Sequence, residues 1–151
     1  MVVCRSAGFL YRDLYCNMDY TTIILAVLGV LQFSILNALA DTLKIKFDLK
    51  IMHGIEGAVQ GILLITLALI LESDWRGRIL LALLNFTLFW LVFDYCLNYM
   101  RRIVNKETWI DWWHLGDAWF DQILKGFENR YKRLILKATL VITAITLNLV
   151  L

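Results

Sequence analysis

Four long apolar blocks dominate the pattern of the chain, and segments rich in charge separate them. The blocks cover about 20–40, 51–71, 78–99 and 134–151. A helix needs roughly 20 residues to cross about 30 Å of hydrocarbon, and each block reaches or approaches that length. The pattern therefore predicts an all-α fold, an integral membrane bundle of four transmembrane helices, formed as a single domain over residues 1–151.

The segment between the third and fourth blocks alternates aromatic residues with charges. Among its aromatic side chains are Trp109, Trp112, Trp113, Trp119 and Phe120. Such rings suit the headgroup region of a bilayer, where one side of the ring is wet and the other is apolar. We therefore predict an interfacial amphipathic helix over about 107–128.

Composition agrees with the membrane prediction and narrows the classes of partner. The chain is 60% hydrophobic and 19% charged, with a mean hydropathy of +0.66, whereas soluble domains are about half apolar and a quarter charged. A net charge of +2 without a basic patch among aromatics argues against a nucleic-acid partner. The N-terminus lacks the pattern of a cleaved signal peptide, and three widely spaced cysteines fit neither a disulfide framework nor a zinc site.

Orientation follows from the distribution of lysine and arginine between the two sides. The side with the first and third connections holds 11 of them, namely Lys44, Lys46, Lys50, Arg101, Arg102, Lys106, Lys125, Arg130, Lys132, Arg133 and Lys137. The other side holds 4, namely Arg5, Arg12, Arg76 and Arg78. Because basic residues are retained in the cytoplasm, we expect both termini to be extracytoplasmic.

Polar residues inside or beside the spans fall into sets with helical spacing. The sets are Asn37 and Asp41, then His53, Glu56 and Gln60, then Asp94 and Asn98, and finally His114, Asp117 and Asp121. Each set forms one helix face, and the predicted topology brings all four to the cytoplasmic side. A charged carboxylate at mid-bilayer costs about 3 kcal/mol on insertion scales. We therefore expect the sets to converge in the bundle interior.

Carboxylates and imidazoles gathered in a helical bundle can hold one or two divalent metal ions. The predicted ligands are Asp41, His53, Glu56, Asp94, His114 and Asp117. Asp94 and Asp121 are the predicted catalytic residues, with Asp121 as general base. The order His-x-x-Glu differs from the Glu-x-x-His of di-iron bundles. Such a centre would activate water against an amphiphilic substrate such as a lipid phosphate, and the arginine clusters could hold an anionic lipid.

Each polar set also has a structural explanation. Glu56 lies near a helix N-terminus, where the helix dipole favours an acid, and Asp41 can pair with Lys44. The alternative function is therefore a non-enzymatic membrane protein, either a holin-like pore-forming oligomer or an assembly factor. Gly54, Gly57 and Gly61 give the second block a close-packing ridge that suits contacts within the chain or a homo-oligomer.

Four short motifs carry a resemblance to a known class of proteins. They are Asn-Ala-Leu-Ala-Asp at 37–41, His-Gly-Ile-Glu at 53–56, Phe-Asp-Tyr-Cys-Leu-Asn at 93–98 and Trp-His-Leu-Gly-Asp-Ala-Trp-Phe-Asp at 113–121. Over about 37–121 the chain resembles small multi-pass membrane proteins, functionally uncharacterised, that are carried in bacteriophage genomes. The resemblance implies a phage setting and the bacterial inner membrane. It implies no particular activity.

Overall fold

Four helices make up most of the structure, a computed structural model that describes residues 20–49, 53–108 and 130–150. They are α1 (Tyr20–Lys46), α2 (His53–Leu71), α3 (Trp75–Val104) and α4 (Arg130–Val150). No strand occurs within these three ranges. All four helices are long and apolar enough to cross a membrane, which confirms the all-α prediction with four candidate spans.

Three of the helices continue past the predicted spans, because a helix ends where its backbone is capped and not where the hydrocarbon ends. Helix α1 runs to Lys46, and α3 covers Trp75–Val104 where the pattern predicted 78–99. The N–H of Leu49 donates to the carbonyl of Lys44 at 2.8 Å, and Asp48 has φ 53°. This left-handed residue with its backward hydrogen bond closes α1 in the manner of a Schellman motif.

A turn of three residues joins α2 to α3 and makes them an antiparallel pair. The carboxylate of Asp74 caps α3 by accepting hydrogen bonds from the N–H groups of Arg76 at 2.9 Å and Gly77 at 3.1 Å. Glu72 accepts from the N–H of Ser73 at 2.8 Å. A Cβ atom at Gly77 would lie 2.6 Å from Cγ of Glu72, so a larger residue there would force the Glu72 side chain to move.

Helix α3 is the centre of the bundle and packs against α1, α2 and α4, most extensively against α1. The core consists of two layers, and every helix contributes to both. The first layer is formed by Ile23, Ala26, Ala68, Leu81, Leu84 and Ala144, and the second by Val30, Leu64, Leu88 and Val141. Three alanines in the first layer allow the helix backbones to approach closely.

Only part of the glycine ridge of α2 packs against another helix among the described residues. At Gly61 an added Cβ would lie 3.7 Å from the ring of Phe86 on α3, which is ordinary packing distance. Gly54 and Gly57 face open space within 4 Å. The close contact between α2 and α3 therefore lies in the second half of the ridge.

The predicted interfacial helix over 107–128 lies almost entirely outside the described residues. Glu107 and Thr108 follow the end of α3 and are not helical. Residues 109–129, which contain the aromatic run, are among those that the structure does not describe.

Candidate functional site

An ion pair at the basic end of the bundle joins α1 to α2. The ammonium of Lys44 lies 3.0 Å from Oδ1 of Asp41, one helical turn earlier on α1, and 2.9 Å from Oε1 of Glu56 on α2. Asp41 is buried, and Lys44 and Glu56 are partly exposed. Glu56 also lies in the first turn of α2, where the helix dipole favours a negative charge. One lysine thus binds two of the predicted metal ligands.

A hydrogen bond between two amides lies one turn deeper on the same helix faces. Nε2 of Gln60 donates to Oδ1 of Asn37 at 3.2 Å, and Nδ2 of Asn37 donates to the carbonyl of Phe33 at 2.8 Å. The predicted faces of α1 and α2 therefore do meet. Their contact is made of polar pairs that satisfy one another.

A second ion pair lies deeper in the bundle, between α3 and α4. The ammonium of Lys137 binds Oδ2 of Asp94, and it lies 4.7 Å from the ring centroid of Trp90, one turn earlier on α3. The side chain of Lys137 is 3% exposed and that of Asp94 is 20% exposed. Because the ring face is electronegative, Trp90 adds a cation–π contact to the same ammonium.

Buried amides tie the other half of the bundle together. Nδ2 of Asn85 donates to the carbonyl of Leu64 at 3.0 Å, and Nδ2 of Asn148 donates to that of Leu80 at 2.9 Å. The Oδ1 atoms of Asn85 and Asn148 accept no hydrogen bond from the described residues. Each amide therefore bonds to the neighbouring helix only through its Nδ2 donor.

A polar contact at the basic end also fixes α3 against α1. Arg101 binds the carboxylate of Glu107 at 2.7 Å. Nδ2 of Asn105 donates to the same carboxylate at 3.1 Å and to the carbonyl of Thr42 on α1 at 3.3 Å. The backbone N–H groups of Asn105 and Glu107 both donate to the carbonyl of Arg101, at 3.1 and 3.4 Å, and so satisfy one of the carbonyls that the end of α3 leaves without a helical partner.

The predicted site residues thus have different outcomes. Asp41 and Glu56 come together through Lys44, whereas Asp94 pairs with Lys137 on another helix. His53 is the first residue of α2, and only its backbone is described. The remaining three, His114, Asp117 and Asp121, lie outside the described residues. Over 20–49, 53–108 and 130–150, no three His, Cys, Asp or Glu residues form a group that could hold a metal ion.

Sequence reasoning missed the role of Lys137, which it counted only as a topology charge. A signal was present in the spacing. Lys137 lies seven residues after the start of α4, about 10 Å along it, and Asp94 lies ten residues before the end of α3, about 15 Å along it. Opposite charges at similar depth on neighbouring spans should pair, because each is costly alone in hydrocarbon.

The three carboxylates of these ion pairs each contact a lysine ammonium. Because Lys44 serves both Asp41 and Glu56, its group keeps one formal negative charge. These contacts can hold helices together without an added cation. Comparisons of the chain with protein-family models, with curated proteins and with solved structures find no match.

Proposed function

We propose that this chain is an integral membrane protein of the bacterial inner membrane whose four helices span the bilayer with their basic end in the cytoplasm. The length and apolar surface of the helices support insertion. Lys44 and Lys46 at the end of α1, and Arg101 and Arg102 at the end of α3, support the orientation.

Reporter fusions test the insertion and the orientation. A reporter that is active only outside the cytoplasm should be inactive when fused after Leu49 and active when fused after Leu151. The fusion proteins should stay in the membrane fraction after washing at alkaline pH. Equal activity at both positions would contradict the orientation, and release by the wash would contradict insertion.

Within that setting, we propose a non-enzymatic role, as an assembly component of the membrane. One observation carries this: Lys44 and Lys137 bind the carboxylates of Asp41, Glu56 and Asp94. A carboxylate already paired with an internal lysine is a weaker ligand for a divalent ion, because the metal must displace the ammonium. For the Asp94–Lys137 pair, the more buried of the two, this would leave an uncompensated charge in the interior.

The outer surface suits a helix bundle that is surrounded by lipid or by other helices. Large apolar side chains are exposed along the helices, among them Leu28 on α1, Ile62 on α2 and Ile142 on α4. Lipid or another apolar helix covers such a surface favourably, whereas water in a pore does not. The buried amides donate to backbone carbonyls of neighbouring helices, as expected of contacts that hold helices together.

Metal content and membrane leakage test the non-enzymatic role together. After incubation with Mn²⁺ or Zn²⁺ and desalting, detergent-purified protein should retain far less than one ion per chain. Lys44→Met frees two carboxylates and is the variant in which metal should first appear. Asp48→Asn is the matched control, because Asp48 lies just past α1 and asparagine also accepts its left-handed conformation. Dye-loaded vesicles carrying the protein should not leak.

A metal-dependent hydrolase is the second candidate, and one contact favours it. Asp41 and Glu56, from two helices, lie within reach of a single cation, the ammonium of Lys44. His53 begins α2 one turn before Glu56. Stoichiometric metal in the wild-type protein, lost in both His53→Ala and Glu56→Gln, would favour this candidate over the first. Leakage from the vesicles would favour a pore.

A further inference from the structure

An exposed stripe of large side chains runs along α1 on the side away from the bundle. It consists of Leu25, Leu28, Gln32, Ile35 and Leu39, which we call the α1 stripe, and all five are exposed. Their spacing is three, four, three and four, the a/d spacing of a coiled-coil seam. Over these residues the stripe covers about 21 Å of helix.

Gln32 is the polar residue of this stripe, and it points directly away from the core. It follows the buried Ile23 by nine residues, which at 3.6 residues per turn places it about 180° around the helix. Its side chain forms no hydrogen bond with any described residue. By contrast, Asn37, Gln60 and Asn85 each donate to an acceptor within the chain.

The depth of Gln32 makes its exposure costly. It lies twelve residues after Tyr20 and fourteen before Lys46, so it is about 18 and 21 Å from the two ends of α1. In the proposed bilayer orientation this position is near the middle of the hydrocarbon. An amide without a hydrogen-bond partner is strongly disfavoured there. A partner that meets the amide would remove that cost.

We propose that the α1 stripe is the contact surface between two copies of this chain, which associate through α1 with Gln32 against Gln32. Two copies inserted in the same direction can be related only by a two-fold axis along the membrane normal, so identical residues lie at equal depth. An amide both donates and accepts, and two glutamines can therefore exchange two hydrogen bonds.

The heptad spacing favours a second copy of this chain, rather than a different protein, as the partner of the α1 stripe. Apolar residues at the other a and d positions pack against their own copies, and a single polar residue at an a position fixes the register of a parallel pair. The core-facing side of α1, with Val30, Ser34 and Ala38, lies opposite the stripe. The bundle can therefore dimerise without repacking.

This inference rests on the proposed membrane insertion, and its test begins with protein already shown to be in the membrane fraction. Two differently tagged copies of the full chain are co-expressed, solubilised in mild detergent and captured through one tag. The wild-type protein should bring down the second tag. Gln32→Leu should weaken association about eightfold, as two interhelical hydrogen bonds of average strength in a membrane would give.

Gln32→Leu is informative because it should not impair folding. It replaces a lipid-exposed amide by an apolar side chain that suits lipid better, and its yield in the membrane fraction should equal or exceed that of the wild type. Gln32→Asn keeps the amide on a shorter side chain and should associate better than Gln32→Leu. A matched control is Ile62→Leu, at an exposed position on α2, which should leave association unchanged.

Cross-linking locates the contact. In a chain with its three cysteines replaced, a single cysteine at Leu28 or Ile35 should give a dimer on mild oxidation, whereas one at Ile62 should not. The proposal would be overturned if the protein in the membrane fraction stays monomeric, if Gln32→Leu leaves association unchanged, or if cross-linking occurs at Ile62 alone. So would capture of a different protein in a Gln32-dependent way. Failure of insertion would instead show first as loss from the membrane fraction.

Discussion

The ion pair between Asp94 and Lys137 gives the sharpest prediction about what holds α3 and α4 together. In Lys137→Met the side chain keeps nearly its length and its apolar part but loses the ammonium. Asp94 would then lose that cation, and Trp90 would lose the cation at 4.7 Å from its ring. The carboxylate is only 20% exposed, so water replaces the lost partner incompletely.

Two independent magnitudes indicate the size of the effect. Removing one partner of a buried ion pair costs about 3–5 kcal/mol. A charged carboxylate at mid-bilayer costs about 3 kcal/mol on insertion scales, which is an upper value for Asp94, about 15 Å from the end of α3. The partial exposure of Asp94 favours the lower end of the first range. We therefore expect Lys137→Met to lower the free energy of unfolding by about 3 kcal/mol.

The double variant separates pairing from mere loss of a side chain. Asp94→Leu together with Lys137→Met removes both charges and leaves apolar groups of similar size, which is often neutral for a buried pair. We expect the double variant to unfold within about 1 kcal/mol of the wild type, and so to be more stable than Lys137→Met alone.

The assay is reversible unfolding in mixed micelles with increasing sodium dodecyl sulfate, followed by helix content and tryptophan fluorescence. Lys132→Met, at an exposed lysine near the start of α4, is the matched control and should change stability by less than about 0.5 kcal/mol. The reasoning is refuted if Lys137→Met matches this control, or if the double variant is no more stable than the single one.

Two further predictions concern the turn and the buried amides. Asp74→Ala removes the side-chain cap of α3 and should lower the free energy of unfolding by about 1 kcal/mol in the same assay. Asp74→Asn keeps a capping oxygen and should retain most of that stability. Equal losses in the two variants would contradict the capping role. Asn85→Leu removes the hydrogen bond to the carbonyl of Leu64, and it also removes the Oδ1 atom, which accepts no hydrogen bond from the described residues. Because the two effects oppose each other, the free energy of unfolding should change by less than about 1 kcal/mol. A loss above about 2 kcal/mol would mean that Oδ1 has a partner.

The helices could be predicted from the sequence because each apolar block is long, and length with composition is enough to indicate a candidate span. Their ends could not, because they depend on local capping: Asp48 in a left-handed conformation ends α1, and Asp74 begins α3. The apolar pattern contains neither signal, since capping is a matter of backbone hydrogen bonds.

The candidate site could be predicted only in part. Helical spacing correctly placed Asn37 and Asp41 on a face that meets Glu56 and Gln60. The metal interpretation counted carboxylates and imidazoles as ligands and left out the lysines at the same depth. The structural explanation did pair Asp41 with Lys44, which is confirmed. Lys44 and Lys137 compete for those carboxylates, and this competition depends on which helices are neighbours. Helix neighbours are a property of packing that spacing along one helix does not contain.

The short connection between α2 and α3 constrains how the protein is made. With only Glu72, Ser73 and Asp74 between two helices, neither helix can be released sideways into lipid while the other waits in the aqueous channel of the insertion machinery. Under the proposed insertion, the pair must partition as one helical hairpin during synthesis. The polar turn at its tip is the part that crosses to the far side of the membrane.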